Sequence, residues 1–230
     1  MRICILGAGG IIGRAICDIC EEQSIDVVGV VKGSNKPSNK NIIDWKFNSV
    51  DIQNVIKEGT KWDAVFDLRA FNPRDITIKK NIVNENVSHW FHISTIYVYK
   101  NLKAAYIDSI NYEFKEDDDC NPSGEYGINK LFCEKEWIST FKREKTPITI
   151  VRLPFIYGPY DRSGRIQTYL NSILNYNTIS LPNFGENLID LLYSMDLARI
   201  LITLIGNKST FGKILNIANF HQNKLVDHLY

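Results

Sequence analysis

Arg2-Ile-Cys-Ile-Leu6, followed at once by Gly7-Ala-Gly-Gly10-Ile-Ile-Gly13, decides how this chain is read. The first part is a short apolar run of the kind that forms a parallel strand buried on both faces. From Ile11 to Glu22 the apolar residues take helical spacing, so the glycines occupy a strand-to-helix turn. Glycines there allow a tight turn, let the backbone approach a pyrophosphate, and bring helix and strand together. After a strand and before a helix, the pattern is a dinucleotide-binding fingerprint, with Gly7, Gly10, Ile11, Ile12 and Gly13 at the cofactor.

Outward from that turn, apolar and β-branched runs recur at Ile25–Val31, Asp63–Leu68, Trp90–Ser94 and Ile148–Arg152, with helical spacing over Gly124–Phe141. Strands alternating with helices predict an α/β fold, a Rossmann-type doubly wound parallel sheet. Beyond Pro159 the pattern loosens, with helices near 166–174 and 195–204 and a last strand over Lys213–Ile217. We therefore expect a dinucleotide-binding domain over residues 1–158. A small C-terminal substrate-binding lobe over 159–230 is interleaved with it. The segment from Lys32 to Lys40 reads as a loop.

The remaining composition narrows the class. The chain has 230 residues, 44% hydrophobic and 23% charged, with a net charge of +1, which argues against an electrostatic nucleic-acid or membrane binder. No basic segment precedes an apolar run and no run reaches membrane length, so a cytoplasmic protein is expected. Cysteines 4, 17, 20, 120 and 133 form no disulfide scaffold and read as small buried hydrophobes in a reducing compartment. His89 and His92 would face opposite sides of a strand, and His221 and His228 sit in a terminal segment, so no metal is expected.

Two residues on the Gly124–Phe141 helix carry chemistry. Tyr126 and Lys130 are four apart and so share a helix face. A tyrosine with a reference pKa of about 10 becomes a usable proton-transfer group when a cation favours its phenolate. At the end of the second strand, where a carboxylate would bind a ribose 2′-hydroxyl, the chain has Val31-Lys32-Gly33. Lys32, with Arg14 just past the last glycine, suits a 2′-phosphate, so the expected cofactor is NADP rather than NAD. Solvated surface cations are the alternative.

The glycine turn, His92-Ile-Ser-Thr95-Ile-Tyr-Val-Tyr99, Tyr126-x-x-x-Lys130 and Arg152-Leu-Pro-Phe-Ile-Tyr157-Gly-Pro159 occur in one order. Together they resemble the extended short-chain dehydrogenase/reductase family, the NAD-dependent epimerase/dehydratase group. Asn187 to Ala198 resembles its C-terminal motif, and the likeness runs from about residue 2 to residue 219. The resemblance implies that Tyr126 is the general acid or base and that Lys130 holds the nicotinamide ribose and lowers the tyrosine pKa. Thr95 would hydrogen-bond the reacting oxygen. It also places Asp44 at the adenine and adds Leu68 and Pro154 to the cofactor set. The activity implied is hydride transfer at a secondary alcohol or ketone of a sugar or nucleotide-sugar-like substrate, by a reductase or an epimerase.

The departures from that pattern also carry expectations. Ile96 and Tyr97 stand where 4,6-dehydratases carry Asp-Glu, so dehydration is not expected. Ile189 replaces the arginine that precedes the aspartate matched by Asp190, and Phe155 replaces an asparagine. The usual His-Leu-Ala-Ala is Asp67-Leu-Arg69-Ala70, with Arg69 open to a cofactor phosphate, an anionic substrate or Asp67 itself. The short stretch from Asp67 to Thr95 leaves room for a reduced helix and weighs against a homodimer built on it. The chain stops soon after Asn216-Ile-Ala, which reads as an open, reduced substrate lobe or a shortened copy. A non-catalytic dinucleotide-binding sensor or degenerate partner subunit is the second reading.

Overall fold

The computed structural model describes residues 1–31, 42–44, 55–56, 61–80, 83, 86–100, 113–176, 178–219 and 223–228, with 42–44 and Arg165 described by backbone alone. Lys32 and its loop, and His221, lie outside the described residues, and so does the side chain of Asp44.

The apolar runs become strands β1 (Arg2–Leu6), β2 (Asp26–Val31), β4 (Ala64–Asp67), β5 (Trp90–Thr95) and β6 (Ile148–Leu153), joined by short β3 (Ile42–Asp44) and β10 (Ile214–Asn216). They form one seven-stranded sheet in the order β10-β6-β5-β4-β1-β2-β3, and every pairing is parallel. The doubly wound fold is thus present. Strand order reverses between β1 and β4, which opens a crevice at their carboxyl ends, where such sheets bind ligands.

Alternation along the strands feeds two cores. Ile3, Ile5, Phe66, Phe91 and Val151 point to one face, packed under α1 (Ile11–Glu22) and α5 (Ser194–Thr203). Cys4, Leu6, Val65, Trp90 and Ile150 point to the other, with Ile76 of α2 (Pro73–Lys80) and Trp137 of α3 (Glu125–Glu144). Burial pushes the thiols of Cys4, Cys17, Cys20 and Cys133 up to about 12, so they serve as packing groups.

Helix α2 covers eight described residues and is followed directly by residues outside the described set. Its start is a capping box: Asn72 Oδ1 accepts from the Asp75 N–H at 3.3 Å, and Asp75 Oδ2 accepts from the Asn72 N–H at 3.1 Å. Pro73 lies just inside, where its missing N–H costs nothing.

Past residue 158 come α4 (Arg165–Tyr176), two small pairings and α5. β7 (Phe155–Tyr157) runs parallel to β9 (Leu191–Tyr193), and β8 (Leu188–Ile189) runs antiparallel to β11 (Asn223–Lys224). The chain then returns to the main sheet through β10, which pairs with β6. Among the described residues, no helix is long and apolar enough to cross a membrane.

Candidate active site

The glycine turn leaves β1 at Gly7, whose φ of +105° is a conformation that L side chains rarely adopt. Gly7 and Ala8 both donate to Val30 O of β2, at 2.9 and 3.1 Å, which pins the turn to the sheet. A Cβ on Gly13 would fall 2.6 Å from the Ala8 Cα, so that glycine permits the close approach of α1 to β1. A Cβ on Gly10 would meet only Gly7 O, at 3.6 Å. Gly10 caps α1 without a side-chain hydrogen bond, and the first turn has no acidic residue. The first-turn N–H groups of Ile11, Ile12 and Gly13 lack intrahelical acceptors, as in any helix, and no side chain of the cap takes their place. This open, positive helix end fits an anionic diphosphate. Leu68 lies across the crevice, its N–H donating to Leu6 O at 3.0 Å, and buried Pro154 separates β6 from β7.

Thr95 ends β5, nearly buried, and its hydroxyl caps the 3-10 turn Ile96–Val98 by accepting from the Tyr97 N–H at 3.3 Å. The phenol of Tyr126, at the start of α3, is placed beside that same hydroxyl. About half of Tyr126 is exposed (49%). Partial burial raises its pKa above the usual tyrosine value, with the neighbouring Thr95 hydroxyl opposing.

Lys130 is 2% exposed, and its ammonium donates to Ala70 O and Ile93 O, both at 2.7 Å. Burial pulls its pKa down to about 8, with Asp67 acting in the opposite direction. Tyr97 stands edge-on to Tyr126 and to Phe155, at 6.3 and 5.9 Å between ring centroids, and makes an aromatic wall.

Other charged residues near the turn have neighbours within the fold. The Arg14 guanidinium lies 4.9 Å from the Tyr160 ring centroid. The ion pair of Asp67 is made with Lys79, at 2.7 Å, while its contact with Arg69 is to that residue's backbone N–H, at 3.0 Å. Asp190 is nearly buried and accepts from the Asn219 N–H at 3.2 Å, which holds the chain after β10. Among the described residues, no group of three or more His, Cys, Asp or Glu side chains could hold a metal ion.

One buried network escaped the sequence reading. Glu134 accepts from Arg152 Nη2 at 2.7 Å and Nε at 3.1 Å, and from the Ser94 hydroxyl at 2.5 Å. Arg152 also stacks 4.7 Å from the Tyr99 ring, whose hydroxyl donates to Asn216 Oδ1 at 2.7 Å. The signal available was the spacing of Tyr126, Lys130 and Glu134, each four residues apart on one helix face.

A family model described as the NAD dependent epimerase/dehydratase family matches residues 3–218. Among curated proteins, dTDP-D-glucose 4,6-dehydratase of Dictyostelium discoideum is 26% identical over 198 residues, covering 75% of this chain and 45% of that protein. The Mus musculus protein of the same name is 24% identical, covering 96% of this chain and 68% of its own. UDP-2-acetamido-2,6-beta-L-arabino-hexul-4-ose reductase of Pseudomonas aeruginosa is 22% identical, covering all of this chain and 57% of that protein. The chain thus spans about half to two thirds of the length of these curated relatives. In solved structures the same fold occurs in dTDP-glucose 4,6-dehydratase from Bacillus anthracis in complex with NAD. Its TM-score is 0.81 at 18% identity, covering 100% of this chain and 79% of that one. It also occurs in UDP-glucuronic acid 4-epimerase from Bacillus cereus with NAD, TM-score 0.76 at 22% identity, covering 99% and 80%.

Proposed function

The chain belongs to the NAD dependent epimerase/dehydratase family, and from that premise we propose that it is an NAD(P)-dependent reductase or epimerase acting at a secondary alcohol or ketone of a nucleotide sugar or similar polyol. The observation that carries this reading is the placement of the Tyr126 phenol beside the Thr95 hydroxyl, with Lys130 one helical turn further along the same helix. Thr95 and Tyr126 together hold the reacting oxygen. Because its pKa is raised, the Tyr126 phenol is protonated near neutral pH and suits proton donation to a carbonyl being reduced. Lys130 places a buried positive charge behind that oxygen, where negative charge develops. Gly7, Gly10, Ile11, Ile12 and Gly13 hold the dinucleotide, Leu68 and Pro154 line its path, and a bound nicotinamide supplies or accepts the hydride.

The retained Thr95, Tyr126 and Lys130 favour an enzyme over a pure sensor. Ile96 is buried and Tyr97 is packed among aromatic rings, so neither supplies the acid and base that elimination of water needs. The names of the curated relatives keep 4,6-dehydration as the competing reading. Lys32 in place of a carboxylate favours NADP over NAD.

The test is incubation of the protein with each cofactor and a panel of UDP- and dTDP-hexoses. Net NAD(P)H consumption marks a reductase; an isomer formed without net cofactor change marks an epimerase. A product lighter by one water would establish the competing dehydration reading. Tyr126→Phe is expected to lower kcat by about 100-fold or more, and full turnover in that variant would remove the phenol from the mechanism. Tighter binding of NAD than of NADP would sink the NADP preference.

A further inference from the structure

We infer that Arg69 is a binding cation for the diphosphate of the dinucleotide, meeting it from the side opposite the helix end. The inference rests on the reading that a dinucleotide binds at the glycine turn. Three observations place the side chain there.

First, its stem lies against the first glycine of the turn. A Cβ on Gly7 would fall 2.8 Å from Arg69 Cγ and 3.1 Å from Cδ, so the missing side chain at Gly7 makes the room that this stem fills. Second, its head extends along the crevice. The guanidinium carbon lies 5.2 Å from the Phe71 ring centroid, and the same ring carries the Lys130 ammonium at 5.0 Å. Phe71, partly exposed, therefore joins the glycine-turn end of the crevice to the Tyr126–Lys130 end, and Arg69 spans the interval. Third, the backbone that carries Arg69 is held in place. Asp67 Oδ1 accepts from the Arg69 N–H at 3.0 Å while pairing with buried Lys79 at 2.7 Å, which locks the turn after β4.

The electrostatics agree with an anion between Arg69 and α1. The open end of α1 attracts an anion from one side, and a guanidinium carried on the turn after β4 can meet the same anion from the other. The planar guanidinium can give two parallel N–H bonds to phosphate oxygens, which neither a lysine nor the alanine usual in the resembling family can do. A nucleotide-sugar substrate also carries a diphosphate. The contact with Gly7 assigns the cofactor's.

The experiment is calorimetric titration of the full chain with NAD, NADP and UDP. Arg69→Met keeps an apolar stem against Gly7 and removes the charge; Arg69→Gln is a second neutral variant, and Arg69→Lys restores charge without the planar fork. Both neutral variants are expected to weaken NAD and NADP equally, by about tenfold or more, with a flatter dependence on salt. Arg69→Lys should fall between, and UDP affinity should not change. NAD binding within about twofold of the unmodified protein, in either neutral variant that melts normally, would overturn the inference, as would tighter NAD binding. A loss confined to NADP would move Arg69 to the 2′-phosphate, and a loss confined to UDP would move it to the substrate; either overturns it. If the unmodified protein bound neither dinucleotide, the functional reading itself would fall, and the inference with it.

Discussion

Glu134 sits one helical turn beyond Lys130 and is 1% exposed, an expensive place for a carboxylate. It is tolerated because Arg152 meets it with two N–H groups and Ser94 adds a third donor. A charge pair this deep is a fragile arrangement, since removing one partner leaves the other charge desolvated. Glu134→Gln is therefore expected to cost about 3–5 kcal/mol in urea unfolding. A loss below about 1 kcal/mol would show that Arg152 finds other acceptors. The same residue scale separates the roles of two lysines. Lys79 neutralises Asp67 inside the protein, whereas Lys130 has only carbonyl oxygens as hydrogen-bond partners among the described residues, and burial pulls its pKa down to about 8.

Helix α3 reaches its position through a glycine. A Cβ on Gly127 would fall 2.8 Å from Pro122 Cβ and closer still to the Tyr97 carbonyl oxygen, so the helix seats directly on the 3-10 turn after β5. That seating brings Tyr126 to Thr95. Two effects compete in Gly127→Ala. Helix propensity favours alanine by about 1 kcal/mol. Overpacking against a backbone carbonyl costs about 1–3 kcal/mol, and a carbonyl fixed in a turn does not swing away. The variant is expected to melt at a lower temperature and to lose turnover as Tyr126 moves from Thr95. A higher melting temperature would mean that propensity wins and that the close seating is dispensable.

Across the whole molecule, burial of ionisable groups sets the response to acid. His89 is fully buried, accepts at Nδ1 from the Gly206 N–H at 3.2 Å and lies 2.8 Å through Nε2 from the Thr149 hydroxyl. Burial pulls its pKa down to about 4. His92 is also fully buried, with neither ring nitrogen partnered among the described residues, and its pKa is driven well below the usual value by burial and then by Lys130 and Lys79. Both rings are neutral when folded and regain ordinary values near 6.5 when unfolded. Their contribution is thus complete above about pH 6.5 and is lost as pH falls toward 4, at about 1.4 kcal/mol per pH unit for each ring. Urea unfolding at pH 7.5 and 5.5 should show that loss, and His92→Leu should shrink it by about half of the histidine part. An unchanged difference between the two pH values in that variant would remove His92 as a contributor.

The sheet, its helices and the order of the glycine turn, Thr95, Tyr126 and Lys130 were legible in the sequence. Each is written in local terms: a run long enough to bury both faces, a helical period, a spacing of four along one helix. The capping box at Asn72 and Asp75 is likewise local, a pair three residues apart. The two- and three-residue strands β3, β7, β8, β9 and β11 were not legible, because so few residues carry no period. Nor could sequence choose among the three roles open to Arg69. Asp67 pairs with Lys79, Glu134 with Arg152, and Arg69 lies along Gly7, contacts made between residues that only the folded sheet brings together. The sequence by itself determined which elements form and which groups can transfer a proton. The tertiary structure alone decided which charges are neutralised, because desolvation and Coulomb attraction depend on neighbours supplied by other elements.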